Sequence, residues 1–162
     1  MKSQATVRAA RPDDAGLIHQ MLVSLAGSLG ASDKFHSSEA DIRRHGFCDP
    51  PGFHALIAEH AGQAVGLCLY FFSFSSWMGQ RGVYVQDIWV SDSERGSGLG
   101  RRLIGETARR AAGHGAAFMR LSVDSANAEA QRFYRSIGME LSENERIFKA
   151  VGERFQQLRQ LD

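Results

Sequence analysis

A chain of 162 residues, 43% apolar and 23% charged with a formal net charge of +1, lies in the size and composition range of one globular domain with a sizeable core. That balance excludes the low-hydropathy composition of a disordered chain and provides no basic field to attract nucleic acid. No segment reaches about 18 uninterrupted apolar residues, and Met1 to Thr6 passes into charged sequence without the apolar stretch of a signal peptide. The expectation is a single domain over 1–162, cytoplasmic, with no membrane or nucleic-acid partner. Cys48 and Cys68 have no CxxC spacing and read as reduced thiols, and the six histidines have no pairwise metal spacing, so no metal is expected.

Residues 6–10 alternate like a strand. Pro12, Asp13 and Asp14 then give a helix start, and Leu17, Ile18, Met21, Leu22 and Leu25 recur at three and four residues until Gly27 and Gly30 weaken the pattern. Residues 38–46 form a second short helix, with serine at its start and glycine at its end. After Pro50 and Pro51 the period changes to that of strands. Residues 53–59 and 65–74 make a hairpin around the turn 60–63, and residues 82–90 add a third antiparallel strand.

Beyond Val90 the period is helical again. Leu99, Leu103, Ile104, Thr107, Ala108 and Ala111 share a face until His114 and Gly115, and residues 118–123 supply another strand, so a parallel crossover follows the meander. Residues 128–137 are helical with Gly138 as the cap, short strands are expected at 139–141 and 147–150, and a last segment ends at Leu158. The fold class is α/β with a mixed sheet: an antiparallel meander, a parallel crossover and helices on both faces.

The chemistry concentrates where the third strand runs into Arg95-Gly96-Ser97-Gly98-Leu99-Gly100 and then into an amphipathic helix. Glycines let backbone N–H groups approach a ligand, and a helix start adds unpaired donors and the positive end of a dipole, which suits a phosphate. Arg95, Arg101 and Arg102 add charge nearby. The spacing fits neither the GxGxxG of a dinucleotide fold nor a P-loop, which ends in GK followed by Ser or Thr. A helix entry without a ligand is the remaining alternative on the loop alone.

Arg95-Gly96-Ser97-Gly98-Leu99-Gly100 resembles the acetyl-CoA signature of the GNAT acetyltransferase superfamily, Arg or Gln followed by x-x-Gly-x and then Gly or Ala. Leu121-Ser122-Val123, Asn127, Ala130, Phe133-Tyr134 and Gly138-Met139 are similar to that family's next motif, with methionine in place of a final aromatic residue. Across nearly the whole chain the likeness is to the diamine (spermidine/spermine) and thialysine acetyltransferase branch, through Tyr70-Phe71-Phe72-Ser73-Phe74-Ser75-Ser76-Trp77-Met78-Gly79 and the stretches around His45 and Glu59. Phe71, Phe72 and Phe74 also read as sheet core.

The resemblance implies the GNAT acyl-CoA N-acyltransferase fold, acetyl-CoA as co-substrate, a small-molecule primary amine as acceptor, and a homodimer. It places the pantetheine arm along the backbone of Ile88, Trp89 and Val90, and the pyrophosphate on Arg95, Gly96, Ser97, Gly98, Leu99, Gly100 and Arg101. Asn127 and Arg135 provide further cofactor contacts, and Tyr134 is the acid that protonates the departing thiolate.

On the acceptor side the chain departs from the branch. Gln86 stands where a glutamate accepts the proton, beside a retained Asp87, and Ser28, Ser75 and Ser76 stand near positions where acids receive a polycation. A water ordered by Gln86, Asp87 or Asp124 then becomes the route for the proton, and a polyamine loses charge-assisted contacts. Glu143 and Glu145 are either acceptor contacts or solvated turn residues. A cofactor-binding sensor that has lost its base is the competing reading.

Overall fold

The computed structural model describes residues 4–161. Residues 1–3, part of the amino-terminal stretch read above as leaderless, and Asp162 lie outside the described residues. The chain comprises two compact units, residues 1–122 and 123–162.

The first unit is a five-stranded sheet ordered β1 (Thr6–Ala9), β2 (His54–His60), β3 (Gln63–Ser75), β4 (Gln80–Val90) and β5 (Ala116–Leu121). The first four strands pair antiparallel and β4 pairs parallel with β5, as the meander and crossover predict. The turn between β2 and β3 is two residues, Ala61 at φ 50° and Gly62 at φ 76°. Two successive positive φ values are the signature of a type I′ turn, whose twist matches that of the strands it joins.

Helices lie on both faces, as expected. α1 (Ala15–Ser28) and α2 (Glu39–Gly46) cover one side, where Ala15, Ile18, Met21, Leu22 and Ile42 meet Ala55, Ile57, Leu67 and Leu69 of the sheet. α2 begins with a reciprocal cap: Asp41 N–H donates to Ser38 Oγ at 3.2 Å, and Ser38 N–H donates to the Asp41 carboxylate at 3.0 Å. Arg8 fastens the end of β1 by donating to Asp14 at 2.7 and 2.9 Å and to Glu59 at 2.7 and 3.0 Å.

α3 (Leu99–Gly113) covers the other side with Leu99, Leu103, Ile104, Thr107 and Ala111. Each fully buried leucine there contributes about 1.5–3 kcal/mol of transfer free energy. Ala108, expected on that face, is exposed. Thr107 donates to Cys68 Sγ at 3.2 Å, and burial pushes the Cys68 thiol up to about 11, so it is a core group without reactivity. Cys48 is exposed, and both cysteines are free, as read from their spacing.

The second unit contains α4 (Ala128–Ser136) and α5 (Glu153–Leu158). The short strands expected at 139–141 and 147–150 are not formed: these segments make no ladder among the described residues. Ile147 is 74% exposed and Phe148 95%. Their β-propensity is genuine, but a strand of three or four residues has no stability without a paired edge.

Candidate functional site

β4 is two strands in one. Against β3 its register runs from Gln80 to Val90, but Leu69 faces Asp87 while Tyr70 faces Val85, so Gln86 is the extra residue of a β-bulge. Against β5 the register ends at Val85 paired with Leu121. Within the first unit, residues 87–90 therefore carry a ladder on the β3 side alone among the described residues, and the backbone edge facing away from β3 has the form that pairs with an extended ligand.

That open edge leads through a short 3-10 turn, Asp92–Glu94, into the glycine loop. Gly96 has φ 74° and Gly98 φ 84°, a left-handed conformation that costs other residues roughly 1–2 kcal/mol. A Cβ at either position would project into open space, with no protein atom within 4 Å, so the bare backbone faces outward. The first helical bond of α3 runs from Arg102 N–H to Gly98 C=O, which leaves the amides of Leu99 and Gly100 ahead of the ladder at the positive end of the helix. Leu99 as a whole is 1% exposed, its side chain anchoring the start of α3 in the core. Ser97 is held inward, its Oγ donating to Glu94 C=O at 2.6 Å. Beside the loop an open groove of about 850 Å³ is lined by Gln4 to Val7, Ser97, Gly98, Arg101 and Arg102. Outward amides, a helix start and arginines fit a pyrophosphate.

A second support for this loop carries no signal in the sequence. His60 at the end of β2 and Glu94 approach to 2.5 Å, Nδ1 to Oε1, with the Glu94 side chain only 8% exposed. The β2–β3 hairpin is thereby tied to the residue preceding Arg95. Arg95 itself is exposed and pairs with Asp92 at 3.0 Å. Nothing in an exposed-looking run such as Asp92-Ser93-Glu94 marks the glutamate as buried, because the packing that buries it comes from a hairpin more than thirty residues upstream.

Gln86 is exposed at the bulge. Asp87 is half-buried on the α1 face, opposite Leu69, and makes no hydrogen bond among the described residues. Burial alone holds its carboxyl above the ordinary carboxylate range. A carboxylate raised in this way is a better proton acceptor near neutrality than a solvated one. Trp89 packs on the α1-side core, and Ile88 lies on the opposite face, paired with Cys68. The aromatic run on β3 is less buried than a sheet core. Phe71 stacks on Tyr84 with centroids 5.1 Å apart, and Phe74 is 69% exposed.

In the second unit, Asn127 Oδ1 accepts Ala130 N–H at 3.0 Å and so caps α4. Tyr134 sits on α4 with its ring edge-on to Phe133, 5.1 Å between centroids, and Arg135 is exposed in the last turn. Gly138 at φ 92° closes the helix, and Met139 N–H returns to Tyr134 C=O at 3.1 Å. Glu143 lies in an exposed turn, and Glu145 follows it, also exposed.

The sequence pattern of the Acetyltransferase (GNAT) family matches residues 19–139, a span that includes the glycine loop and α4. The chain belongs to the GNAT acetyltransferase family. Thialysine N-epsilon-acetyltransferase of Bos taurus is 34% identical over 94% of this chain and 95% of its own length, and that of Mus musculus is 35% identical over the same shares. Integron cassette protein VCH_CASS6 of V. cholerae, a solved structure, matches with a TM-score of 0.83 over 98% of this chain and 99% of its own; at 21% identity it shows the shared fold. This acetyltransferase is therefore an enzyme of the expected class, and among its described residues no helix is long and apolar enough to cross a membrane, and no group of three or more metal-ligating side chains occurs.

Proposed function

We propose that this acetyltransferase moves an acetyl group from acetyl-CoA to the primary amine of a thialysine-like small molecule, by direct attack in a ternary complex. The observation that carries the proposal is the edge of β4 at residues 87–90, followed after the short turn Asp92–Glu94 by the outward-facing backbone of Gly96 and Gly98. A linear ligand with amides at one end and a pyrophosphate further along matches that sequence of features.

Acetyl-CoA supplies the acetyl group already activated as a thioester. In the proposed arrangement the backbone of Ile88, Trp89 and Val90 pairs with the pantetheine arm, and an amide of this edge polarises the thioester carbonyl. The amides of Gly96, Gly98 and Gly100, with Arg95 and Arg101, hold the pyrophosphate, while Ser97, whose amide and hydroxyl both donate to Glu94 C=O, shapes the loop, and Asn127 and Arg135 add contacts. An ammonium group must lose its proton before it can attack. Gln86 cannot take that proton, whereas Asp87, kept above the usual carboxylate range by burial, is suited to take it directly or through water. Tyr134, whose reference pKa of about 10 keeps it protonated at neutral pH, gives its proton to the departing thiolate as the attacking nitrogen sheds its remaining extra proton on becoming an amide, which restores the phenol.

The acceptor proposal rests on charge. A thialysine-like amino acid carries its own carboxylate and asks less of the protein than a polycation, which suits a chain with Gln86, Ser75 and Ser76 near the positions where the branch uses acids. On the resemblance we also propose that residues 1–162 act as one transferase domain, in a cytoplasmic homodimer.

Release of free CoA thiol with a panel of thialysine, lysine, spermidine, amino sugars and peptide amines tests the reading. Saturable turnover is expected with thialysine at lower KM than with spermidine. Tyr134→Phe should lower kcat by about 10²–10⁴-fold. Gly98→Val, which fills the left-handed position and the space above it, should weaken acetyl-CoA binding by a hundredfold or so, equivalent to about 2.7 kcal/mol. Tight acetyl-CoA binding with no acyl transfer to any amine would sink the proposal.

A further inference from the structure

We infer that a cavity at the carboxyl end of α3, remote from the glycine loop, is a second ligand site that takes a small organic anion with a flat apolar body, of the aromatic carboxylate type. The cavity holds about 310 Å³ and lies wholly within the first unit. Arg110 and His114 from the end of α3, His54 at the start of β2 and Tyr70 on β3 supply its polar lining, and Phe47 and Phe53 supply apolar walls. Arg110 is eleven residues beyond Leu99 on one helix, which sets this lining roughly 16 Å along the axis from the loop.

Three of these polar groups have no hydrogen-bond partner among the described residues: the hydroxyl of Tyr70, which is buried at 5% exposure, and the ring nitrogens of His54, which is half-buried, and of His114, which is exposed at the mouth. Among the described residues Arg110 commits only its Nε, to Glu106 at 2.8 Å, so its terminal nitrogens remain as donors. The rings are held in place by one another. His54 stacks on Tyr70 at 5.4 Å and meets Phe72 edge-on at 5.3 Å, and Arg81 lies 4.1 Å over the Phe72 ring. A rigid aromatic frame with several unspent donors converging on one space has the character of a small-molecule pocket.

The sign of the ligand follows from the surrounding charge. Arg110 lines the cavity, Arg81 lies just outside it against His114, and the nearby acid, Glu106, is divided between Arg109 and Arg110. Burial, with the charges of His114 and Arg81, pushes His54 below its ordinary value, as a site short of negative charge does. The carboxyl end of α3 disfavours an anion, but a helix-end dipole is weaker than one charge-assisted bond from a guanidinium, and Arg81 already caps His114 C=O at 3.2 Å. The phenylalanines require the body of the ligand to be flat and apolar, while the histidines, Tyr70 and Arg110 require an oxyanion at its end.

Benzoate is the probe, titrated into the whole protein by calorimetry and by amide-resolved NMR. One molecule should bind, with shifts at 47–55, 70 and 110–114 that persist when acetyl-CoA is saturating. Benzamide, which has the same shape without the charge, should bind at least about fivefold more weakly. Arg110→Gln should weaken benzoate about tenfold and Tyr70→Phe about threefold or more, with benzamide little changed by Arg110→Gln. No binding at millimolar benzoate, equal binding of benzoate and benzamide, or displacement of benzoate by acetyl-CoA would each overturn the inference. Should Arg110→Gln fail to fold, Tyr70→Phe and the benzamide comparison decide alone.

Discussion

Residues 81–85 of β4 are hydrogen-bonded between β3 and β5, whereas residues 87–90 of the same strand have, among the described residues, a ladder on the β3 side alone, and the bulge at Gln86 is where one condition gives way to the other. The first half is built for stability: Val83 and Val85 are 1% and 3% exposed. Among the described residues the second half keeps a half-buried carboxylate without a hydrogen-bond partner and a row of backbone groups without a ladder, both unfavourable in a strand that served only as core. The contrast teaches that a sheet becomes a site where its pairing stops, provided that the other side of the strand stays anchored.

If the halves differ in this way, the largest effect on folding belongs to the first. Val83→Asp buries a charge without a partner and should cost about 4–5 kcal/mol, read by urea unfolding, whereas Gln86→Ala at the bulge should stay within about 0.5 kcal/mol. A folded, fully active Val83→Asp protein would erase the distinction.

Asp87→Asn sharpens it, because activity and stability should move in opposite directions. The value of kcat/KM should fall by about 10²-fold or more with loss of the proton acceptor. Stability should rise at pH 7, for the following reason. Burial raises the folded-state pKa above the unfolded value of about 3.9. Ionised Asp87 therefore disfavours the folded state, and that penalty is absent below the unfolded pKa and grows as pH rises through the window up to the folded one. The gain in melting temperature for Asp87→Asn should accordingly vanish in acid. A variant that is less stable at every pH would mean that Asp87 has a structural partner.

The smallest effect concerns the anchoring of the loop. His60→Ala removes the 2.5 Å contact to Glu94 and should raise the KM for acetyl-CoA about tenfold, with kcat within about twofold, since the loop is loosened and the reacting groups are untouched. An equal loss in kcat with unchanged KM would place His60 elsewhere in the reaction.

Much of this was legible in the amino acids themselves. Periodicity located the three strands of the meander and the amphipathic α3, because the alternation of Val83 to Val85 and the spacing of Leu99, Leu103 and Thr107 report burial directly. Alternate glycines marked the loop, because only glycine readily adopts the backbone of Gly96 and Gly98. The failure at 139–141 and 147–150 has the converse cause: propensity is local, but a strand exists only through its partner.

What the tertiary structure alone decided lies in the relation between segments distant in sequence. The register of β3 makes Gln86 a bulge and turns Asp87 toward the α1 face, and the end of β5 determines where the edge of β4 opens. A hairpin brings His60 to Glu94, and the end of α3 brings Arg110 and His114 to Tyr70 and His54. Side-chain chemistry and backbone freedom are properties of a residue and can be read from its name. Burial, unpaired edges and convergence of donors are properties of packing, and appear only when the chain has folded.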